Sequence, residues 1–479
     1  MSKFSDKLEH YITNSGLVES QLALLTGYSR SYIARLKNGQ RVSPDTGKME
    51  KLFDALNLTI SEYIELWDLY LEERLGKEKY DLTKACLDFI SSFRYTSRLP
   101  VRASVQYHFP QVRMVEGRTD VAYLLRMMIE QEAAKPNGRL RLLMQPENGS
   151  VMEVLKSGFK INPKFQVEHM ICLESHVEWE QYYNIRCLRS LVPVLLCQQE
   201  MSYDIYYYYD KVSAHYSSFS FMPYFLVTSE YVVNLDYGLE HAVVYREQEL
   251  VGLYTGKFQE LISRCAPLYR PIQGDKELLG HYVEAPLMQN EIFCIGNQPC
   301  MGVLEAEELF AKYALPPMQE EVLALQKRLK ETRQRIERCE QRVVSYFTEE
   351  GLRGFLAEGR IEELPSRLYR PIELPDRVGM IRNLIRLAQK GLYEPHLVSR
   401  KKYQYPEGLI IDAYDLEHIT LYYKDRNSEK RIAIQEKTLA RLFYEFLECF
   451  RESTYVLSAE ETVEYMKEVV SAGSSGGGA

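Results

Sequence analysis

The sequence of 479 residues contains only two tryptophans and has no long apolar run. Its longest apolar segments, counting proline, are Leu191–Cys197 and Phe221–Val227. A membrane-spanning helix needs about 20 apolar residues, and Met1–Lys7 lacks the apolar region of a signal peptide. The nine cysteines form no CxxC pair, which is more typical of a reducing compartment than of a disulfide framework. We therefore expect a cytoplasmic protein without membrane contact.

The overall composition is that of a folded, globular chain. Hydrophobic residues make up 46% and charged residues 26% of the sequence, which argues against wholesale disorder. The formal net charge of −8 excludes a chain that is basic throughout, but it is compatible with a local basic patch. Tyrosine is abundant, with 36 residues.

The hydrophobic periodicity predicts a multidomain protein. Phe4, Leu8, Tyr11 and Ile12 lie on one face of a first helix, and four further helical patterns follow before residue 75. Aromatic and β-branched runs then alternate with helical patterns, as in α/β or α+β proteins. We predict an all-α five-helix head at 1–75, an α/β sensor region at 80–315, a heptad-patterned helix at 316–346, a C-terminal α/β domain at 347–472, and a flexible or artificial tail at 473–479.

The heptad pattern consists of apolar residues at alternating spacings of four and three. Its members are Met318, Val322, Leu325, Leu329, Thr332, Ile336, Cys339, Val343 and Tyr346. This seam predicts either a dimerising coiled coil or a helix hairpin packed on its own domain.

Two local repeats hint at an internal duplication. His241–Tyr245 and the helical pattern after it resemble Lys430–Ile434 and its following helix, at an offset of 189 residues. The segment Leu268–Ile272 recurs unchanged as Leu368–Ile372, at an offset of 100. Because the two offsets disagree, they do not describe one simple repeat, and the question of duplication stays open.

The most informative segment runs from Glu19 to Gly39. Two short helices that cross at a steep angle need a small residue at the crossing, which Ala23 supplies, and a turn residue that tolerates positive φ, which Gly27 supplies. Ile33 and Leu36 lie one turn apart on the second helix and would dock it on the first. This spacing is the helix-turn-helix arrangement.

The surrounding residues resemble the lambda-repressor-like family, also called the Cro or xenobiotic-response-element type, over residues 4–70. The resemblance rests on Leu22, Ala23, Gly27, Ser29, Arg30, Ser31, Ile33, Arg35, Asn38, Gly39 and Pro44. There are two departures. Glu19 stands where the family often has a phosphate-contacting glutamine, and Lys37 stands where it commonly has an acidic residue.

The second helix of this motif carries the residues that we expect to contact DNA. Ser29 can cap the helix, and Arg30, Ser31 and Arg35 would face the major groove, where arginine reads guanine. The complete predicted set is Ser29, Arg30, Ser31, Tyr32, Arg35, Lys37, Asn38 and Arg41. Residues 28–51 carry six Lys/Arg and two Asp/Glu, a local charge of 6 − 2 = +4. The alternative is a small helical bundle with a solvated basic face that docks proteins.

The run Tyr206, Tyr207, Tyr208 and Tyr209 is a candidate ligand site, because tyrosine combines an aromatic face with a polar tip. The alternative is a strand whose tyrosines pack in a sheet, with either Tyr206 and Tyr208 or Tyr207 and Tyr209 facing inward. No clustered titratable residues indicate catalysis, and no metal-binding spacing or cofactor motif is present.

These observations favour a one-component transcriptional regulator of bacterial type, repressor-like, that binds a double-stranded DNA operator as a homodimer. Its C-terminal region would sense a ligand or partner, such as a small molecule or peptide, and would mediate dimerisation. Two alternatives remain: an antitoxin-like or scaffold protein whose C-terminal half binds another protein, and an enzyme tethered to DNA.

Overall fold

A computed structural model describes most of the chain. The described residues are 2–94, 111–147, 149–175, 182–196, 202–210, 221–284, 291–301, 312–315, 324, 327, 330–331, 333–338, 340–424 and 429–475. We call residues 2–75 the head and residues 77–475 the body. Within the described residues, no helix is long and apolar enough to cross a membrane.

The head is built from short helices around one apolar core. They are α1 (Lys3–Ser15), α2 (Glu19–Thr26), α3 (Arg30–Lys37), α4 (Thr46–Asp54) and α5 (Ile60–Leu75). Phe4, Leu22, Ile33 and Phe53 are fully or almost fully buried in this core. The boundaries follow local chemistry: α5, for example, begins with a capping box in which Thr59 and Glu62 each accept a hydrogen bond from the other's backbone N–H.

Helix α6 (Lys77–Ser91) joins the head to the body. Its first turn contributes Tyr80 to the head core, whereas Leu82 and Phe89 are buried in the main core of the body. Gly76, with φ +83° and ψ 151°, separates α5 from α6. This combination of angles is essentially restricted to glycine.

The body contains two mixed sheets. The first has the strand order β1-β7-β6-β5-β2-β3-β4-β8. Its strands are β1 (Val112–Glu116), β2 (Arg139–Leu143), β3 (Gln166–Leu173), β4 (Ser202–Tyr209), β5 (Tyr224–Val227), β6 (Val232–Leu235), β7 (His241–Tyr245) and β8 (Ala266–Pro267). The helices around it are α7 (Arg118–Ala133), α8 (Gly149–Ile161), α9 (Tyr183–Leu195) and α10 (Gln248–Ile262).

The second sheet has the order β12-β11-β10-β13-β14-β15-β9. Its strands are β9 (Tyr269–Pro271), β10 (Glu291–Ile295), β11 (Arg342–Phe347), β12 (Tyr393–Leu397), β13 (Leu409–Ala413), β14 (Ile419–Lys424) and β15 (Glu429–Ile434). The accompanying helices are α11 (Gly274–Glu284), α12 (Glu349–Glu358), α13 (Leu374–Gln389), α14 (Lys437–Phe450) and α15 (Ala459–Ser475).

The two sheets share one topology. In the first, β2, β3 and β4 are parallel neighbours, and β5, β6, β7 and β1 follow β2 in antiparallel pairs. In the second, β10, β11 and β12 are parallel, and β13, β14, β15 and β9 follow in the same way. The segments related by the offset of 189 residues, β7–α10 and β15–α14, occupy equivalent places. The body is therefore two copies of one fold unit.

The second recurrence has no such equivalence. Leu268–Ile272 contains strand β9, whereas residues 368–372 form an irregular segment before α13. The first segment pairs with β15 over three residues, whereas in the second segment Tyr369 forms one isolated antiparallel bridge with Ala314. The same five residues are thus paired differently in two tertiary surroundings.

A shared core holds the two halves together. Phe89 of α6 packs against Phe443 of α14 with ring centroids 5.2 Å apart. The Asn184 side chain of α9 donates a hydrogen bond of 2.7 Å to the Thr438 hydroxyl of α14. Buried residues of both sheets belong to one contiguous apolar cluster, so the halves are not independent globules.

The predicted heptad helix is wrong at its C-terminal end. Arg342–Phe347 is the buried parallel strand β11, and its side chains alternate between two cores, with Val343 in one and Tyr346 in the other. A spacing of three residues keeps side chains on one face of a helix but moves them to opposite faces of a strand. The described positions between 324 and 337 are helical, and most of the remaining seam lies outside the described residues.

Two predicted boundaries also differ from the structure. The division between the sheets falls near residue 268, not at 315, because β9 and β10 belong to the second sheet. Helix α15 follows a capping box between Ser458 and Glu461 and continues to Ser475, so it enters the segment that was expected to be a flexible or artificial tail.

Candidate nucleic-acid interface

Helices α2 and α3 form a tight helical corner. Gly27 follows α2 with φ +72°, and its N–H donates to the Ala23 carbonyl at 3.0 Å. Ser29 caps α3, since its hydroxyl accepts a hydrogen bond of 3.2 Å from the backbone N–H of Tyr32. Ile33 and Leu36 are fully buried. Ala23 is partly buried against the same head core.

The outer face of α3 is open to solvent and basic. Ser29, Arg30, Ser31, Arg35, Asn38 and Arg41 are exposed, whereas Tyr32 and Lys37 are half-buried. Among the described residues, no ion pair compensates Arg30, Arg35 or Arg41. These three guanidinium groups can therefore hydrogen-bond to phosphates or base edges without first breaking a salt bridge.

Two stacked tyrosines support one side of this face. The rings of Tyr28 and Tyr32 are 4.7 Å apart and nearly parallel. Arg41 lies 5.7 Å from the Tyr32 ring and Lys48 lies 5.3 Å from the Tyr28 ring, both within cation–π distance. Burial raises the pKa of Tyr28, so its hydroxyl stays neutral. The sequence pattern did not predict the stacking of Tyr28 or the cation–π contact of Lys48, because both depend on the geometry of the turn that follows α2.

The two departures from the family pattern are in contact with each other. The Lys37 amino group lies 3.5 Å from a Glu19 carboxylate oxygen and 4.0 Å from Glu9. Only 20% of the Lys37 side chain is exposed. Glu19 therefore neutralises the extra lysine, and the two unusual residues compensate each other at the start of α2 and the end of α3.

The tyrosine run in β4 is divided among different surroundings. Tyr206 lines a cavity of about 870 Å³ between the two sheets, which we call the inter-sheet cavity; Asp204, Pro267, Tyr269, Gln273 and Arg431 also line it. Tyr207 and Tyr208 pack against the main core. Tyr209 donates a hydrogen bond to Glu436, which is buried at the start of α14. Of the four tyrosines, Tyr206 is the one that lines this cavity.

One buried histidine of the first sheet, His169, lies in structural contacts. His169 is fully buried: its Nε2–H donates to the Met144 carbonyl at 3.0 Å, and Nδ1 accepts from the Tyr203 hydroxyl at 2.7 Å. Burial lowers the pKa of His169 to about 4. Within the part of the chain that the structure describes, no group of three or more His, Cys, Asp or Glu residues could hold a metal ion.

The head contains a basic, solvent-facing helix that packs on a second helix and is joined to it by a glycine turn. This arrangement defines the head as a helix-turn-helix module. The family model described as Helix-turn-helix matches residues 14–63. The N-terminal domain is thus a helix-turn-helix domain of the XRE or lambda-repressor-like type, as the resemblance implied. No family model matches the C-terminal region, and a search of curated proteins finds no match.

Three solved structures with low TM-scores are distant likenesses of this chain. A polyphosphate kinase from Porphyromonas gingivalis is 10% identical with a TM-score of 0.24, and the match covers 75% of this chain and 56% of the kinase. The archaeal chromatin protein TrmBL2 is 12% identical with a TM-score of 0.20, covering 56% of this chain and 94% of that protein. A phosphatidylserine synthase from Haemophilus influenzae Rd KW20 is 12% identical with a TM-score of 0.23, covering 76% and 92%. At such TM-scores these likenesses define no shared fold.

Proposed function

We propose that the protein is a sequence-specific DNA-binding transcriptional regulator whose helix α3 reads the major groove. The observation that carries this proposal is a set of three arginines on and beside the exposed face of α3, none of which forms an ion pair with a described residue, in a domain of helix-turn-helix type. In this arrangement the recognition helix contacts base edges and the surrounding cations contact phosphates. The acidic net charge of the whole chain makes the local basic face the natural contact for DNA.

Alanine substitution of Arg30 and Arg35 tests the proposal. Both side chains are exposed, so each change should alter the free energy of unfolding by less than about 0.5 kcal/mol. Loss of a bidentate base contact costs about 1–3 kcal/mol of binding free energy. The assay is fluorescence anisotropy with a duplex that the wild-type chain selects from a random-sequence pool.

Arg74→Ala is the matched control, because it removes the same charge from α5 of the same domain. We expect it to bind the selected duplex nearly as well as the wild-type chain. If the Arg30 and Arg35 variants keep wild-type affinity and sequence preference, α3 is not the reading helix.

We further propose that the body senses an effector and that the protein acts as a homodimer. The inter-sheet cavity supports the first part, since a volume of about 870 Å³ at the junction of two fold units is that of a small-molecule site. Helix-turn-helix proteins commonly read paired half-sites about 34 Å apart, which supports the second part. Sedimentation of the full chain tests it: a monomer at micromolar concentration contradicts the homodimer.

The two alternative functions predicted from the sequence require different features in the body. An antitoxin-like or scaffold protein would bind a protein partner through the body, and an enzyme would need a reactive cluster there. The polar residues that line the inter-sheet cavity, among them Asp204, Gln273 and Arg431, suit a small polar effector better than an apolar protein surface.

A further inference from the structure

The head touches the body at a second place, far along the chain from α6. Residues 399–405, which follow β12 and which we call the latch loop, reach the head through Lys402. The Lys402 amino group lies 3.4 Å from a Glu50 carboxylate oxygen in α4 and 4.6 Å from the centre of the Trp67 ring in α5. Its side chain is only 18% exposed. A cation–π contact and an ion pair are both stronger when the ammonium group is partly removed from water.

The latch loop is itself anchored in the body. The Tyr403 hydroxyl donates to the Leu87 carbonyl of α6 at 3.2 Å and accepts from the Ser91 hydroxyl at 3.1 Å. The Tyr405 hydroxyl donates to the carbonyl of Ile295, the last residue of β10, at 3.2 Å. The second sheet, the linking helix α6 and the head therefore meet at one short loop.

The covalent connection alone does not dictate how the head is oriented. Gly76 lies between α5 and α6, and no atom of a neighbouring residue lies within 4 Å of the position that a Cβ would occupy there. Contacts across this joint hold the angle: Lys84 pairs with Asp68 at 3.1 Å, and Tyr455 packs against both the head core and the main core. Lys402 adds a contact that originates in the second sheet.

We propose that Lys402 is a latch that fixes the orientation of the DNA-binding head, and that the second half of the body controls DNA binding through it. This inference rests on the proposed function. Glu50 and Trp67 lie on α4 and α5, whereas the reading face lies on α3 and is exposed, so the latch holds the head without covering the DNA interface.

The latch loop also gives the second sheet a means to act on Lys402. Arg400, Tyr403, Gln404 and Tyr405 form part of the wall of a cavity of about 400 Å³ beside the start of α12. Any change in the packing of this wall moves the residues on both sides of Lys402. When Lys402 leaves Glu50 and Trp67, the orientation of the head is no longer fixed. DNA binding that requires this fixed orientation then weakens.

The test uses the full chain with Trp179→Phe, which leaves Trp67 as the only tryptophan of the sequence. Lys402→Met keeps the aliphatic stem and removes the charge, and Lys402→Arg keeps the charge. Lys401→Met is the matched control, since it removes the same charge from the exposed neighbouring residue. Two quantities are measured for each variant: acrylamide quenching of Trp67 fluorescence, and affinity for a duplex selected from a random pool by the parent chain.

We expect Lys402→Met to increase the quenching of Trp67 and to weaken duplex binding by about tenfold, within the usual range of coupling between sites. Lys402→Arg should stay close to the parent chain in both measurements, and Lys401→Met should change neither. Increased quenching with unchanged duplex affinity overturns the control of DNA binding, and unchanged quenching overturns the latch itself. A parent chain that selects no duplex instead refutes the proposed DNA-binding function, while the quenching data still show whether Lys402 holds the head.

Discussion

The contact between Glu19 and Lys37 leads to a quantitative prediction for Glu19→Gln. In the wild-type chain the carboxylate lies 3.5 Å from the Lys37 amino group, which is therefore compensated before DNA arrives. Glutamine removes the negative charge from the start of α2, and among the described residues the more distant Glu9, at 4.0 Å, is then the remaining ion-pair partner of Lys37. Lys37 then becomes available to a phosphate.

The size of the effect follows from counterion release. Each phosphate that a protein cation neutralises contributes about −0.9 to the slope of log K against log salt on B-form DNA. We expect Glu19→Gln to bind DNA more tightly than the wild-type chain, with a slope steeper by about 0.9. Its advantage should then shrink about 3.5-fold between 50 and 200 mM salt.

Fluorescence anisotropy titrations of one selected duplex across this salt range measure both slopes. Glu65→Gln is the control: it removes the same charge from the head, but from a contact with Lys7 and Tyr11 between α1 and α5. Parallel slopes for Glu19→Gln and the wild-type chain would show that Lys37 does not reach a phosphate.

The remaining predictions concern folding stability. Gly27→Ala should destabilise the head by about 1 kcal/mol, because Gly27 has a φ of +72°. The nearest atom to a new Cβ is 4.0 Å away, so the cost is conformational and not steric. Gly27→Asn should cost less, and equal urea midpoints for the wild-type chain and both variants would contradict this account. His169 has a folded-state pKa of about 4 against 6.5 in the unfolded chain, so the unfolded state binds the extra proton. The contribution of His169 to the free energy of unfolding should be fully present above pH 6.5 and should decrease by about 3 kcal/mol as the pH falls to about 4. His169→Gln should remove this part of the pH dependence of stability, as measured in urea titrations.

The helix-turn-helix head is predictable from local patterns in the sequence. Ala23, Gly27, Ile33 and Leu36 specify a helical corner through local requirements: a small crossing residue, a residue for positive φ, and two apolar residues one turn apart. All of these act within about fifteen residues, so their spacing is visible in the sequence. Most strands of the body were visible for the same reason, because a buried strand is a local apolar run.

Features that depend on residues far apart in the chain are set by long-range contacts and were not predictable from local patterns. The spacing of Val343 and Tyr346 is that of a heptad seam. In the folded chain, however, β10 and β12 pair with the segment on either side, which makes it strand β11. The identical Leu268–Ile272 and Leu368–Ile372 segments differ because only the first finds β15 beside it. The sequence predicted Lys37 as a cation available to DNA, whereas in the structure it pairs with Glu19. No sequence pattern predicted the contact of Lys402 with the head. Such pairings join residues up to several hundred positions apart, so their energies are set by the folded arrangement and not by any local pattern.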